Sequence, residues 1–326
     1  MLSASGTTPF RPAWWCRSPH CQTLWPHLFR RRPSLTLRRE RLEVPDGDFL
    51  DLAWSGPERG PLVLVLHGLE GSLRSHYAAS LIDGLVRSGL GVVFMHFRNC
   101  GGEPNRLPRS YHSGETGDLE RLATQLVART GQPLLAVVGF SLGGNVLLKW
   151  LGERGDSAPI RTAVAVSVPF LLGEAAERME TGWSRLYQWQ LVRSLRRSYR
   201  RKLPRLSAQL PVDAAGLERL RTFRTFDDRV TAPLHGFAGV DDYYTRSSSR
   251  QFLRHIRRPT LILHAADDPF MWPRTVPTAP ELSPSVQLEV SAHGGHVGFV
   301  AGRWPWRPEY WLDARIIRHI HEHRSR

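Results

Sequence analysis

The stretch "VVGFSLGGNVLLKW", Val137 to Trp150, decides the fold. It begins as a continuous apolar run suited to a buried strand and ends with the spacing of an amphipathic helix. Between the two, Gly139 and Gly143 bracket Ser141. A strand that passes into a helix this abruptly holds the residue at the turn in a strained conformation and lifts its side chain clear of the sheet. The flanking glycines leave room where side chains would collide with neighbouring backbone. The helix then aims its free N–H groups and its dipole at the hydroxyl, which favours negative charge there.

A serine hydroxyl is a weak nucleophile until a base takes its proton, and that base needs an orienting carboxylate. In a strand–G-x-S-x-G–helix context the partners follow in the order acid, then histidine. "LILHAADDPF" closes a buried run with Asp267 and Asp268, and "SAHGGHVGF" follows the next with His293 and His296. Asp268 precedes Pro269, where the strand ladder has to stop, so its side chain is free to swing towards the serine. Asp267 then caps or braces the loop. Gly294 and Gly295 let the chain carry His296 back over the sheet, which leaves His293 as a structural histidine at the strand end. Ser141, Asp268 and His296 are therefore expected to form a catalytic triad. An oxyanion hole requires two backbone donors. The expected pair is the N–H of Leu142, directly after the serine, and that of Leu69 in "HGLEGS". His67, which opens that loop, is expected to fix its shape by hydrogen bonding.

Around this centre, apolar runs alternate with helical patterns, which predicts an α/β fold with a mostly parallel central sheet flanked by helices. "RERLEVP" and "FLDLAW" flank "DGD" as an antiparallel hairpin, and "PLVLVLH", "GVVFMHF", "RTAVAVSVP", "PTLILHAA" and "VQLEVSA" read as further strands. The rhythm breaks over residues 171–249, which read as a helical cap inserted into a core of residues 40–170 and 250–326. Residues 1–39, rich in Pro, Trp and Arg, read as an arm over the body, and a final helix is expected over about 308–323.

The formal charge of +14 raises nucleic acid as a partner. The arginines are scattered, however, and no recognisable nucleic-acid module is present, so this class is set aside. No window approaches the roughly 20 apolar residues that span a bilayer. The opening "MLSASGTTPF" lacks the pattern of a signal peptide. Cys16, Cys21 and Cys100 are an odd count without a C-x-x-C pair, which predicts unpaired thiols, no metal site and a reducing, cytoplasmic setting.

At these residues the sequence resembles the YheT-like branch of the α/β-hydrolase superfamily. The resemblance runs through "FRPAWWCRSPHCQTLWPHLFRRRP", "FRNCGGEPNRLPRSYHSGETGDL", "GFSLGGNVLLKWLGE", "TAPLHGFAGVDDYY", "HAADDPFM" and "AHGGHVGF". It implies a serine esterase that uses Ser141, Asp268 and His296, needs no cofactor and acts on a small acyl ester or lipid-like substrate. Hydrolysis of short- to medium-chain carboxylic esters is the expected reaction, with acyl transfer to an alcohol or phospholipid cleavage as the alternatives. A non-catalytic binding module on the same fold is the remaining rival. Specificity is expected in the cap, with Trp183, Tyr187 and Trp189 as wall residues. Tyr243, in "DDYY" at 241–244, is expected either to narrow the pocket or to serve as a hinge. The arginines from Arg193 onward are expected to face water, or else anionic lipid in a peripheral membrane contact.

Overall fold

Strand β3 (Leu62–Leu66) shows how the layers arise. Side chains alternate between the faces of a strand. Leu62, Leu64 and Leu66 therefore enter one core and Val63 and Val65 the other. The first core is closed by α3 (Gly117–Thr130) and α4 (Leu142–Arg154), the second by α2 (Ala78–Arg87) and the C-terminal helix Trp311–Glu322. The computed structural model describes residues 9–324. The opening residues on which the absence of a leader was argued lie, up to position 8, outside the described residues.

The central sheet has eight strands in the order β1-β2-β4-β3-β5-β6-β7-β8. The hairpin β1 (Arg38–Glu43) and β2 (Phe49–Ser55) sits at one edge, and β2 pairs antiparallel with β4 (Gly91–Met95). All remaining pairs, through β5 (Leu134–Phe140), β6 (Ile160–Val166), β7 (Thr260–Ala265) and β8 (Val286–Ser291), are parallel. Parallel strands covered on both faces have to be apolar throughout, and β3, β4, β5 and β7 are buried at every position.

Three expectations change. Helix α4 is not amphipathic: it is buried from Leu142 to Leu148 and again at Trp150 and Leu151, so only its C-terminal end meets solvent. Its outer side is covered by residues 250–255, so closely that a side chain at Gly152 would lie 2.4 Å from the carbonyl of Phe252. The run before the C-terminal helix contains a second small sheet, β9 (Val300–Trp304) paired with β10 (Arg307–Tyr310), that periodicity did not reveal. Cys16 and Cys21 are not free thiols. They form a disulfide across 5.5 Å between Cα atoms, because the chain folds back before α1 (Pro19–Phe29) and the first helical turn returns Cys21 to Cys16. The cysteine argument for a reducing compartment loses its ground.

Between β6 and β7 the described residues form helices and turns without a strand. They include α5 (Leu172–Met179), α6 (Ser184–Arg200) and the helix Val240–Ser247. The base of α6 is fixed to the body. The Lys202 amine donates to the carbonyls of Leu107, Pro108 and Arg109 at 2.6, 3.2 and 2.6 Å, and burial lowers its pKa to about 8. Arg201 donates to the carbonyls of Asn99 and Gly102, both at 2.9 Å. Lys202, the end of the basic run, is thus buried, while Arg193, Arg197, Arg200 and Arg201 are exposed. No helix among the described residues is long and apolar enough to cross a membrane.

Candidate functional site

Ser141 stands between the last residue of β5 and the first of α4, with φ 51° and ψ −117°. A non-glycine residue at positive φ is strained, and the surroundings have to enforce it. Here the main chain does so: Ser141 N donates to Val166 O at 2.8 Å, and Asn145 N donates to Ser141 O at 3.0 Å. The bracketing glycines are required. A Cβ at Gly139 would lie 2.5 Å from the Gly143 carbonyl oxygen, and one at Gly143 would lie 2.5 Å from that of His67. Real Cβ atoms do not approach oxygen so closely, so any side chain there would push the turn apart.

The three residues selected from the sequence meet. His296 Nε2 lies 3.0 Å from Ser141 Oγ, and its Nδ1 lies 2.8 Å from Asp268 Oδ2. Asp268 is almost fully buried, and its other oxygen accepts from Phe270 N at 2.8 Å. The rival residues pair with one another. Asp267 accepts from Gly295 N at 2.9 Å, and its second oxygen lies 3.3 Å from His293 Nδ1. The turn at Gly294 and Gly295, with φ of 150° and 58°, carries His296 back over the sheet. Chemically, an imidazole bridging a hydroxyl and a buried carboxylate can take up the hydroxyl proton while the carboxylate holds the resulting cation.

Leu142 opens α4, where a first-turn N–H has no acceptor within the helix. The 67–71 loop lies against the serine: a Cβ at Gly68 would sit 3.2 Å from Ser141 Cβ. Leu69, Leu142, Ser141 and His296 all line one cavity of about 280 Å³. His67 is fully buried, and burial lowers its pKa to about 3, so it is neutral. Its Nδ1 lies 2.7 Å from Gly68 O and its Nε2 accepts from Phe97 N at 3.1 Å, so it braces the loop as expected.

Of the expected wall residues, Tyr187 and Tyr243 line the cavity. Tyr187 Oη lies 3.0 Å from His20 Nδ1, and burial raises its pKa to about 12. Tyr243 is buried and accepts from Ser113 N at 3.0 Å. Trp183 and Trp189 are not wall residues; they are 72% and 59% exposed. Helical spacing explains the correction for Trp189, since Tyr187, Leu191 and Ser194 share the inward face of α6 and leave Trp189 on the outer one, whereas Trp183 precedes the helix as its N-cap residue and is not placed by that spacing. The "DDYY" run divides in the same way. Tyr243 and Tyr244 line the cavity, whereas Asp241 and Asp242 pair with Arg224 and Arg246 outside it.

Sequence reasoning missed several contributors. Phe270 stacks on the His296 ring at 4.0 Å between centroids, nearly parallel. Thr23 Oγ1 on α1 accepts from His296 N at 3.0 Å, and Ser167 Oγ accepts from the next amide, Val297 N, also at 3.0 Å. Val297 is β-branched with φ 56°, so this loop is strained beside the histidine. Glu70, itself at φ 52°, follows Leu69 and ties three elements together. Its amide donates to Tyr111 Oη at 2.7 Å, and its carboxylate accepts from Tyr111 and from Ser194 and Ser198 of α6 at 3.1, 3.1 and 2.5 Å. Only the polar pair Ser194 and Ser198, four apart within α6, hinted at such a partner.

Among the described residues one trio, His112, Glu115 and His235, brings three possible metal-ligand atoms within 4.8 Å of one another. The protonation pattern suits an internal cluster better than a cation. His112 Nδ1 accepts from Gly114 N at 3.1 Å, which leaves the proton on Nε2, the atom facing Glu115 at 3.6 Å. A ligating histidine does the reverse and donates through its second nitrogen. Arg109 already occupies the Glu115 carboxylate at 2.5 Å.

Comparison with known proteins agrees with this architecture. The family model for the alpha/beta hydrolase fold matches residues 61–302. YheT of Escherichia coli strain K12, named as a candidate esterase, is 45% identical over 317 residues, covering 96% of this chain and 93% of that protein. Phospholipase ABHD3 of Mus musculus is 31% identical over 319 residues, covering 93% of this chain and 76% of its own. Among solved structures, the Pyrococcus furiosus esterase Pf2001 superposes with a TM-score of 0.57 at 16% identity, over 98% of this chain and all of that one, a likeness of fold. The chain belongs to the α/β-hydrolase family, in its YheT-like branch.

Proposed function

We propose that this protein is a serine esterase cleaving short- to medium-chain carboxylic esters. The observation that carries the reading is the unbroken series of hydrogen bonds from Ser141 through His296 to Asp268, at 3.0 and 2.8 Å, opening into an apolar cavity. Leu172, Met179, Leu191, Phe226 and Val230 line that cavity and suit an acyl chain. The names of the Escherichia coli and mouse relatives point to ester substrates as well.

In this reading His296 removes the Ser141 proton as the oxygen attacks the ester carbonyl. The N–H groups of Leu142 and Leu69 hold the tetrahedral oxyanion, and the alcohol departs with the proton from His296. Water, deprotonated by the same imidazole, attacks the acyl-enzyme and releases the acid. Turnover of p-nitrophenyl esters from acetyl to palmitoyl, with ethanol present, tests the reading. The expected result is hydrolysis that favours the shorter chains, with free acid as the main product. No turnover of any ester would defeat it, and an ethyl ester exceeding the acid would replace hydrolysis with acyl transfer.

Glu70 gives the reading a second, smaller consequence. By holding the residue after Leu69 against Tyr111 and α6, it fixes the direction of one oxyanion donor, which makes it a positioning residue. Losing an oxyanion donor outright costs about 10²–10³ in kcat. Glu70→Ala, which only loosens that donor, is expected to lower kcat roughly 10- to 100-fold while KM changes little. Glu70→Gln retains an acceptor for the serines and should recover most of the loss. A rise in KM with kcat unchanged would assign Glu70 to binding instead.

A further inference from the structure

Among the described residues the exposed large apolar side chains are not scattered. Trp14 belongs to the arm, Leu24, Leu28 and Phe29 to α1, Leu186 and Trp189 to α6, and Trp183 immediately precedes α6. Trp304 and Trp306 flank the tip of the β9–β10 hairpin, and Val290 alone lies elsewhere. Isolated exposed apolar residues are ordinary, but a contiguous set marks an interaction surface. This set is contiguous because its elements touch. His20 of α1 meets Tyr187 of α6 at 3.0 Å. Gln22 of α1 exchanges two hydrogen bonds with the backbone of Val300 on β9, at 3.0 and 2.6 Å. Trp14 Nε1 donates to Arg303 O on the hairpin at 2.9 Å. Leu24 and His27 of α1 and Gln190 of α6 are at once exposed and part of the cavity lining, so the cavity opens within this face.

The charge on these elements is predominantly positive. Residues 9–39 contain arginines at 11, 17, 30, 31, 32, 38 and 39 and no Asp or Glu. Arg30 is turned inward onto Asp313, and Arg38 pairs with Glu40 and Glu58. Helix α6 adds Arg185, Arg193, Arg196, Arg197 and Arg200 without an acid of its own, although Arg196 and Arg200 pair with Glu218. Arg303 and Arg307 bracket the hairpin tryptophans, and Glu309 is the hairpin's acid. The Arg303 guanidinium lies 5.0 Å over the Trp304 ring and that of Arg193 lies 5.4 Å over Trp189.

We propose that the face formed by the arm, α1, α6 and the β9–β10 hairpin docks on an anionic phospholipid bilayer and seats the cavity mouth against the lipid. Tryptophan side chains settle at headgroup depth, and neighbouring arginines lay their stems along the apolar layer while pairing with lipid phosphates. A second copy of the chain would bring arginine against arginine. A nucleic acid would leave Leu24, Leu28, Phe29 and Leu186 without a use. The basic run of α6, where a membrane contact was expected from the sequence, supplies part of the charge. The apolar contact comes mostly from elements far from it in sequence.

The test is sedimentation of the intact protein with vesicles of ether-linked lipids, which contain no carboxylic ester, so the readout does not depend on esterase activity. Vesicles mixing phosphatidylglycerol with phosphatidylcholine should bind roughly tenfold or more tightly than phosphatidylcholine alone, and added salt should weaken the binding. The combined variant Trp183→Ser, Trp189→Ser, Trp304→Ser, Trp306→Ser should lose roughly tenfold or more of that binding with unchanged melting. The charge variant Arg185→Glu, Arg193→Glu should lose binding to the anionic vesicles selectively. Failure to sediment with either vesicle would overturn the proposal. So would undiminished binding by the tryptophan variant, which would mean adsorption by charge alone. A dimer dispersed by the same substitutions, or an oligonucleotide that displaces the vesicles, would assign the face to another partner.

Discussion

Ser141→Ala is expected to lower kcat for a p-nitrophenyl ester by roughly 10⁴–10⁶, the range seen when the nucleophile of a serine triad is removed. The substitution deletes one oxygen and leaves the turn in place. The hydrogen bonds that hold the residue, from its own amide to Val166 O and from Asn145 N to its carbonyl, belong to the main chain. His296, Asp268 and the apolar cavity remain, so substrate binding should persist and KM should move far less than kcat. Melting should be unchanged or slightly raised, because strained sites that serve chemistry are rarely optimised for stability. Turnover near the unmodified rate would mean that another group attacks the ester.

The paired aspartates give the second large effect and a sharp contrast. Asp268→Asn is expected to reduce kcat by about 10⁴. The neutral amide would no longer favour the imidazole proton on Nδ1 and could not stabilise the imidazolium that forms as Ser141 attacks. Asp267→Asn should cost at most about tenfold, because Asp267 pairs with the exposed His293 and with Gly295 N, and acts on His296 only through the loop. Equal losses from the two substitutions would undo the assignment of roles. A larger loss at Asp267 would exchange them.

Much of this arrangement was legible before the structure because it is local. The alternation of apolar runs with helical spacing located the strands, since a parallel sheet covered on both faces leaves few other places for such runs. Ser141, Asp268 and His296 could be picked out because each follows a strand, where an α/β sheet places functional groups. What escaped depends on contacts between distant segments. Nothing near position 23 indicates that Thr23 will receive the amide of His296, and nothing near Glu70 announces Ser194 and Ser198. Cys16 and Cys21 looked unpaired because spacing alone does not show that a helix start folds the chain back between them. Trp183 and Trp189 were misplaced for a related reason: aromatic residues in an insertion suggest a pocket wall, but the phase of α6 turns Trp189 away from the cavity and the chain entering that helix leaves Trp183 exposed. The β9–β10 pair is short, and its "RWPWR" centre reads as a turn rather than as strand ends.

Esterase chemistry at this site requires Ser141 to be an activated nucleophile in the folded protein. Reaction of the intact chain with a fluorophosphonate probe, followed by mass spectrometry of the peptides, addresses that directly. A stoichiometric adduct on Ser141, lost on heat denaturation and strongly slowed in His296→Ala, is the predicted result. Folded protein that resists the probe, or that carries the adduct on a different serine, would contradict it.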